Sequence, residues 1–278
     1  MAIAYARFSN NGSWLLPPNQ QMVANNYLTS RNGRYTLTVQ PDGNLTLSEG
    51  PNIIWVANQQ QAHSSTIKKK NLTFVNFVVS NSGFLYDPFR RRLWIAESTH
   101  TTDKSYWQHS HLAVQDDGNI VILDMRRRWS SRQDLPFNPA GDSAPILADG
   151  EQLGLDHIQT AGQYSLHFTG DGDLVVKTPD GNVVWRTGTA GRGAQQAKMR
   201  PDGNFVIEAG NGAVIWQTGT AKHPGAHLAL RNDGQLEVIS ESPRWARFGF
   251  QPGRFPRPRR FKSFGASYEA GKIYAWHW

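Results

Sequence analysis

The sequence predicts an all-β protein: six copies of one short antiparallel sheet, grouped as two sets of three. Three observations carry this. A nonapeptide recurs, as VQPDGNLTL around Asp42, VQDDGNIVI around Asp117 and MRPDGNFVI around Asp202. FTGDGDLVV at Asp171 and LRNDGQLEV at Asp233 are close variants, and VSNSGFLYD at Asn81 is a worn one. A tryptophan then follows each anchor by 12 to 14 residues, at Trp55, Trp94, Trp129, Trp185, Trp216 and Trp245. Within each copy the apolar residues alternate, as Phe205 and Ile207 do against Asn204 and Val206. Period two marks a strand, and Asp-Gly just before it marks a tight turn. A fixed repeat of this length makes each copy one supersecondary unit.

Spacing divides the copies. Anchors 42, 81 and 117 step by 39 and 36; anchors 171, 202 and 233 step by 31 and 31; the step between the sets is 54. Tyr35-Thr36-Leu37 precedes Asp42 by seven residues, as Tyr164-Ser165-Leu166 precedes Asp171. Each triplet therefore opens alike, which implies duplication of a three-repeat domain. The expected division is 1–138, 139–246 and an extension over 247–278, with the join in the Pro/Gly/Asp-rich stretch from Leu135 to Asp149. Three sheets can close about a common axis, and the six repeat tryptophans are expected to fill those axes. Further turn signals, Asp180-Gly181-Asn182 and Gly210-Asn211-Gly212, supply hairpin loops before Trp185 and Trp216.

Composition agrees with many strands and turns. The 278 residues are 38% hydrophobic, with 26 glycines and 10 tryptophans, a size for about two domains. No segment reaches the ~20 apolar residues of a membrane helix. No apolar leader segment is read at the N-terminus. With no cysteine, disulfides and thiolate metal sites are excluded.

The chemistry is expected on the outer strand face. Gln115, Asp117, Asn119 and Val121 are spaced by two, so they project to one side. Gln and Asn each donate and accept, whereas an ionised Asp only accepts. Vicinal sugar hydroxyls need that mixture, and Val offers an apolar patch to a sugar C–H face. Asp202, Asn204 and Val206 form the next candidate, then Gln40, Asp42 and Asn44.

This Q-x-D-x-N-x-V-x-Y pattern, three times per domain with a tryptophan after each, resembles the monocot mannose-binding lectin motif. The resemblance implies two tandem β-prism II domains, each of three four-stranded sheets about a pseudo-threefold axis. Two such domains in one chain, followed by Trp245-Ala246-Arg247-Phe248-Gly249-Phe250-Gln251-Pro252 and a tail ending Trp276-His277-Trp278, are similar to the lectin-like bacteriocins of Gram-negative bacteria. Residue by residue the motif is incomplete. Leu123 stands at the Tyr position of the third repeat, and Thr46 and Ser48 at the Val and Tyr positions of the first. Arg200 and Glu208 replace Gln and Tyr in the fifth; Thr169, Asp173 and Lys177 depart in the fourth; the sixth keeps Asp233 beside Arg231, Gln235 and Glu237. A mannose- or rhamnose-type surface polysaccharide is the implied ligand.

Net charge is +7, which favours anionic partners. Basic runs occur at Lys68-Lys69-Lys70, Arg90-Arg91-Arg92 and Arg126-Arg127-Arg128, and the tail interleaves Arg254, Arg257, Arg259, Arg260 and Lys262 with Phe255, Phe261 and Phe264. No nucleic-acid-binding scaffold is visible; lipopolysaccharide O-antigen fits both charge and motif. Pro256 and Pro258 exclude a regular helix there. A final strand from Ile273 to Trp278 is expected either to pack on a prism or to meet the target surface. By resemblance that target includes the outer-membrane barrel-assembly protein.

Enzyme motifs are absent. His109 and His111 share a strand face without a third ligand, and Asp171 and Asp173 lack a calcium loop around them. No catalytic residue, cofactor, metal or nucleic-acid partner is expected, and a monomer is. The leading reading is a lectin-like bacteriocin, released without a classical signal peptide, that kills related cells from outside. A non-toxic agglutinin or adhesin, or a structural or nucleic-acid-coating protein on the same fold, stands beside it.

Overall fold

The computed structural model describes residues 6–41, 45–56, 78–80, 85–86, 92–95, 108–139, 143–248 and 274–275. No α-helix occurs among them. The chain folds into two compact units, and the described strands form five sheets, three of four strands and two of six, paired antiparallel except at Ala6–Arg7 and Tyr274–Ala275.

In the second unit the fourth repeat is the sheet His157–Ala161, Tyr164–Phe168, Leu174–Lys177 and Val183–Arg186. The fifth is Gln152–Gly154, Ala194–Met199, Phe205–Ala209 and Val214–Gln217. Alternation sends Leu166, Phe168, Leu174, Val176, Phe205 and Ile207 into one shared core. The third sheet joins Ser143–Leu147 and His227–Arg231 to the start of Leu236–Ala246, and that start to the end of Ile120–Ser130.

That last pairing departs from chain order. One unit comprises Met1–Asp124 and Ser242–Trp278, the other Met125–Glu241. The expected boundaries, after 138 and after 246, therefore fall elsewhere: each prism takes its last tryptophan strand from the other triplet. Trp129, Trp185 and Trp216 meet edge-on in the second unit, with ring centroids 5.6, 5.6 and 5.9 Å apart. This is the expected axial triad, with Trp129 where chain order would put Trp245. The reason is local. Repeats four and five reverse at hairpins before their tryptophans, but no Gly interrupts Ile120–Ser130 or Leu236–Ala246, each an unbroken strand of 11 residues. Such a strand cannot fold back onto its own sheet, so its second half pairs elsewhere. The triad tryptophans are half-buried rather than fully enclosed.

In the first unit the sheet Tyr27–Thr29, Tyr35–Val39, Leu45–Glu49 and Asn52–Val56 packs Leu28, Leu37, Val39, Leu45 and Leu47 against Leu112, Val114, Ile120 and Ile122. Trp55 lies half-buried on this core. The second repeat contributes Val78–Ser80, Leu85–Tyr86 and Arg92–Ile95. Tyr274–Ala275 runs parallel to the last of these, with Trp94 opposite Tyr274. The expected C-terminal strand is thus seen at these two residues, on the first unit's sheet; residues 249–273 and 276–278 lie outside those described.

The shared opening of the triplets has a packing cause. Gly118 and Gly234, in the turns of the third and sixth repeats, have φ of +83° and +82°. A Cβ on either would stand 2.8 Å from the Tyr35 ring or 2.6 Å from the Tyr164 ring. Tyr35 and Tyr164, which open the two triplets alike, each lie on the turn glycine of the third repeat in their triplet.

Candidate functional site

The motif strands place their side chains in a common way. The anchor aspartate is exposed and bonds its own turn: the amides of Asn119, Asn204 and Gln235 donate to Asp117, Asp202 and Asp233 at 2.8, 2.9 and 3.0 Å. Such turns suit Asp, and at Asp233 the second oxygen also accepts from Gln235 Nε2 at 3.3 Å. The residue two further on is a staple to the segment after a tryptophan. Asp173 Oδ1 accepts from Thr187 Oγ1 and the Gly188 and Thr189 amides at 2.8, 2.8 and 3.0 Å. Asn204 Oδ1 accepts from Thr218 Oγ1 and the Thr220 amide, while its Nδ2 donates to Gln217.

In the third repeat, Gln115 is half-buried and Asp117 exposed. The Asn119 amide binds both backbone groups of Phe248, Nδ2 donating to the carbonyl at 2.8 Å and Oδ1 accepting the amide at 2.9 Å. Val121 is 2% exposed, and Leu15, His111, Ala113 and Leu123 on the same face are equally enclosed. Of the four residues expected to form this pocket, Gln115 and Asp117 reach solvent, while Asn119 and Val121 serve packing.

The fifth repeat shows why its motif changed. Arg200 Nε and Nη2 donate to Glu208 Oε1 at 3.0 and 2.6 Å, and Gln196 Nε2 donates to Oε2 at 2.7 Å. A buried carboxylate needs such partners. The pair fills the space between the Gln and Tyr positions, and Val206 is fully enclosed beneath. Asp202 stays exposed and Asn204 is bound as above. In the first repeat Gln40 Nε2 donates to Thr46 Oγ1 at 2.8 Å; Asp42 and Asn44 lie outside the described residues.

The remaining repeats differ again. In the fourth, Val175 is flanked across the strands by His167 and Arg186, with Lys177 one step along. Burial first, then Lys177, holds His167 below its usual pKa. The Thr169 hydroxyl, the largest cause, holds the exposed Asp171 below its usual value. The sixth repeat is closed. Glu237 is buried between Arg127, at 3.3 Å, and Arg231, at 3.6 Å, while Arg231 also donates to the Asn138 carbonyl. Burial raises the Glu237 pKa.

Sequence reasoning missed the staple. Its signal was present: Thr187-Gly188-Thr189 and Thr218-Gly219-Thr220 follow their tryptophans identically. It also missed that the run Arg126-Arg127-Arg128 is strand: Arg127 is bound to Glu237 and Leu135, and Arg128 to Ser240 at 2.7 Å. The runs over 68–70 and 90–91, and the basic tail, lie outside the described residues. His111 does not face an open metal site. Its Nδ1–H donates to the His109 carbonyl at 2.9 Å, and burial lowers its pKa to about 4.

No protein-family model matches the chain, and no curated relative does. Solved structures match in fold. The native fetuin-binding agglutinin of Scilla campanulata, a two-domain lectin, superposes with a TM-score of 0.52 at 21% identity, over 86% of this chain and 97% of that one. The mannose-specific agglutinin of snowdrop, Galanthus nivalis, complexed with methyl-α-D-mannoside, gives 0.34 at 28% identity, over 40% of this chain and all of that one. The Colocasia esculenta lectin gives 0.31 at 25%, over 44% and 96%. The architecture is that of a two-domain β-prism II protein.

Proposed function

We propose that the protein is a non-enzymatic carbohydrate-binding protein of the lectin-like bacteriocin type, recognising a mannose- or rhamnose-type surface polysaccharide of related Gram-negative bacteria and killing them from outside. The observation that carries the sugar reading is the recurrence, across two prisms, of an exposed aspartate held in a tight turn, at Asp117, Asp171, Asp202 and Asp233. Gln115 beside Asp117 is the best-equipped pair, then Asp202 with its neighbours, then Gln40 with Asp42 and Asn44. Each site is shallow. Few polar contacts must offset ordering and desolvation, so a free monosaccharide binds weakly. Several weak sites on one chain gain on a polymer through effective concentration.

The killing reading is supported by the tandem prisms and by the tail strand paired at Tyr274–Ala275; lipopolysaccharide O-antigen and the outer-membrane barrel-assembly protein are its proposed partners at the target's outer membrane. Purified protein spotted on lawns of related strains, with and without competing polysaccharide, tests it. Clearing that polysaccharide suppresses supports it, and no clearing on any strain refutes it. Polysaccharide bound no better than free sugar, or unchanged in an Asp117→Ala plus Asp202→Ala variant, removes the carbohydrate reading itself. Deleting residues 268–278 is expected to abolish killing while polysaccharide binding survives in part. A non-toxic agglutinin is the second reading, favoured by the two-domain agglutinin fold that the chain shares.

A further inference from the structure

The position two residues after Trp129, Trp185 and Trp216 has a fixed structural task. Thr187, Thr218 and Ser131 occupy it, and their hydroxyls accept the backbone amides of Leu174, Phe205 and Leu236 at 3.1, 3.2 and 2.9 Å. The main chain there donates back to the same three residues, at 3.0, 3.0 and 2.8 Å. After Trp245 the position is Arg247. Its backbone amide keeps the pattern, donating to Ile120 at 2.8 Å, while the Ile120 amide turns to Asn119 Oδ1. The side chain does something else.

Arg247 is 8% exposed. Its guanidinium carbon lies 4.9 Å from the Trp55 ring centroid and 4.8 Å from that of Phe248, and the two rings meet edge-on at 6.4 Å. Nε is enclosed with no hydrogen-bond partner, and no carboxylate among the described residues pairs with the side chain. Burial alone lowers its pKa. In the other unit the buried Arg231 has an acid, Glu237. A buried charge is ordinarily paired, and aromatic faces stabilise a cation without using its N–H donors. The planar fork of donors therefore remains for a ligand oxygen pair. Phe248 is 36% exposed, so the cluster borders solvent.

We propose that Arg247, walled by Trp55 and Phe248, is a binding site for an oxyanion, a carboxylate or phosphate carried on an acidic sugar. The inference rests on the carbohydrate reading for the sugar that carries the anion, and on Arg247 alone for the anion. It makes the first prism selective for charged positions along a polysaccharide, where the aspartate turns serve neutral ones.

The test is an NMR titration of the intact ¹⁵N-labelled chain, following the Arg247 Nε–Hε and Trp55 indole signals. The probes are sodium glucuronate, sodium phosphate and, as neutral control, glucose. Saturable shifts with glucuronate, phosphate or both, and none with glucose, support the site; the anion that binds more tightly identifies a carboxylate or a phosphate source. Arg247→Met, matched in length, is expected to weaken the response at least tenfold, and Arg247→Lys to retain part of it. Signals unmoved by either anion up to about 50 mM, weaker than any useful affinity, overturn the proposal, as does an equal response in Arg247→Met. If Arg247→Met does not fold, the wild-type titration and Arg247→Lys still decide. Retention of the same sample on neutral mannan reports the carbohydrate reading separately, so either can fail alone.

Discussion

Trp129→Ala should destabilise the second prism, although the residue follows the third repeat of the first triplet. Trp129 meets Trp185 and Trp216 edge-on, both at 5.6 Å. Each such pair contributes about 0.5–1.5 kcal/mol beyond burial. A half-buried indole removes roughly 100 Å² from water, about 2.5 kcal/mol at ~25 cal/mol per Å². With two such pairs the sum is about 3.5–5.5 kcal/mol, close to the ~3–5 kcal/mol of a fully buried aromatic truncation. In a unit spanning Met125–Glu241, this is a fall in melting temperature of roughly 14–22 °C. Hydrogen exchange resolved by mass spectrometry is the assay. Protection should fall over Tyr164–Phe168, Leu174–Lys177 and Phe205–Ala209, and persist over Tyr35–Val39 and Leu45–Glu49. The reverse pattern, with the first unit opening and the second intact, would refute the strand exchange.

Gly234→Ala places a Cβ 2.6 Å from the Tyr164 ring at a φ of +82°, and should cost about 2–3 kcal/mol; Gly212→Ala, also at positive φ but with nothing within 4 Å, should cost only about 1 kcal/mol. Urea unfolding compares the two. His111 titrates near 4 when folded, against 6.5 in its free state, because it is buried. The unfolded chain therefore binds the extra proton between those values, so stability is complete above about pH 6.5 and falls towards pH 4, by about 3 kcal/mol. His111→Leu should flatten that acid limb of the urea midpoint, and an unchanged limb would assign it to other groups. Converting Arg200 to Gln and Glu208 to Tyr together replaces the ion pair with the motif's polar set; one added hydrogen bond of about 1 kcal/mol predicts a roughly fivefold gain in mannose affinity by calorimetry. No gain would mean that the enclosed Val206 face, not the ion pair, closes the site.

The sequence by itself determined the six repeats, their two triplets, and the strand-and-turn character of each. Those properties are written in nine-residue windows, where alternation and an Asp-Gly turn act between neighbours. The meaning of Tyr35 and Tyr164 was half legible: their register was plain, their seat on Gly118 and Gly234 was not. The tertiary structure alone decided which tryptophan fills which axis. Leu123 to Arg128 holds no Gly or Pro, which permits an unbroken strand but does not say where it pairs. It also decided which motif side chains remain free. Asn119 is bound to Phe248, 129 positions away, and Asn204 to Thr218 and Thr220. Asp117 and Asp202 bond only two residues ahead, so their exposure could be read locally. Local hydrogen bonds are encoded in the motif, whereas a staple exists only once the strand carrying the tryptophan has paired: Thr218 and Thr220 follow the fifth repeat's own Trp216, while Phe248 comes from the sixth repeat to Asn119 of the third.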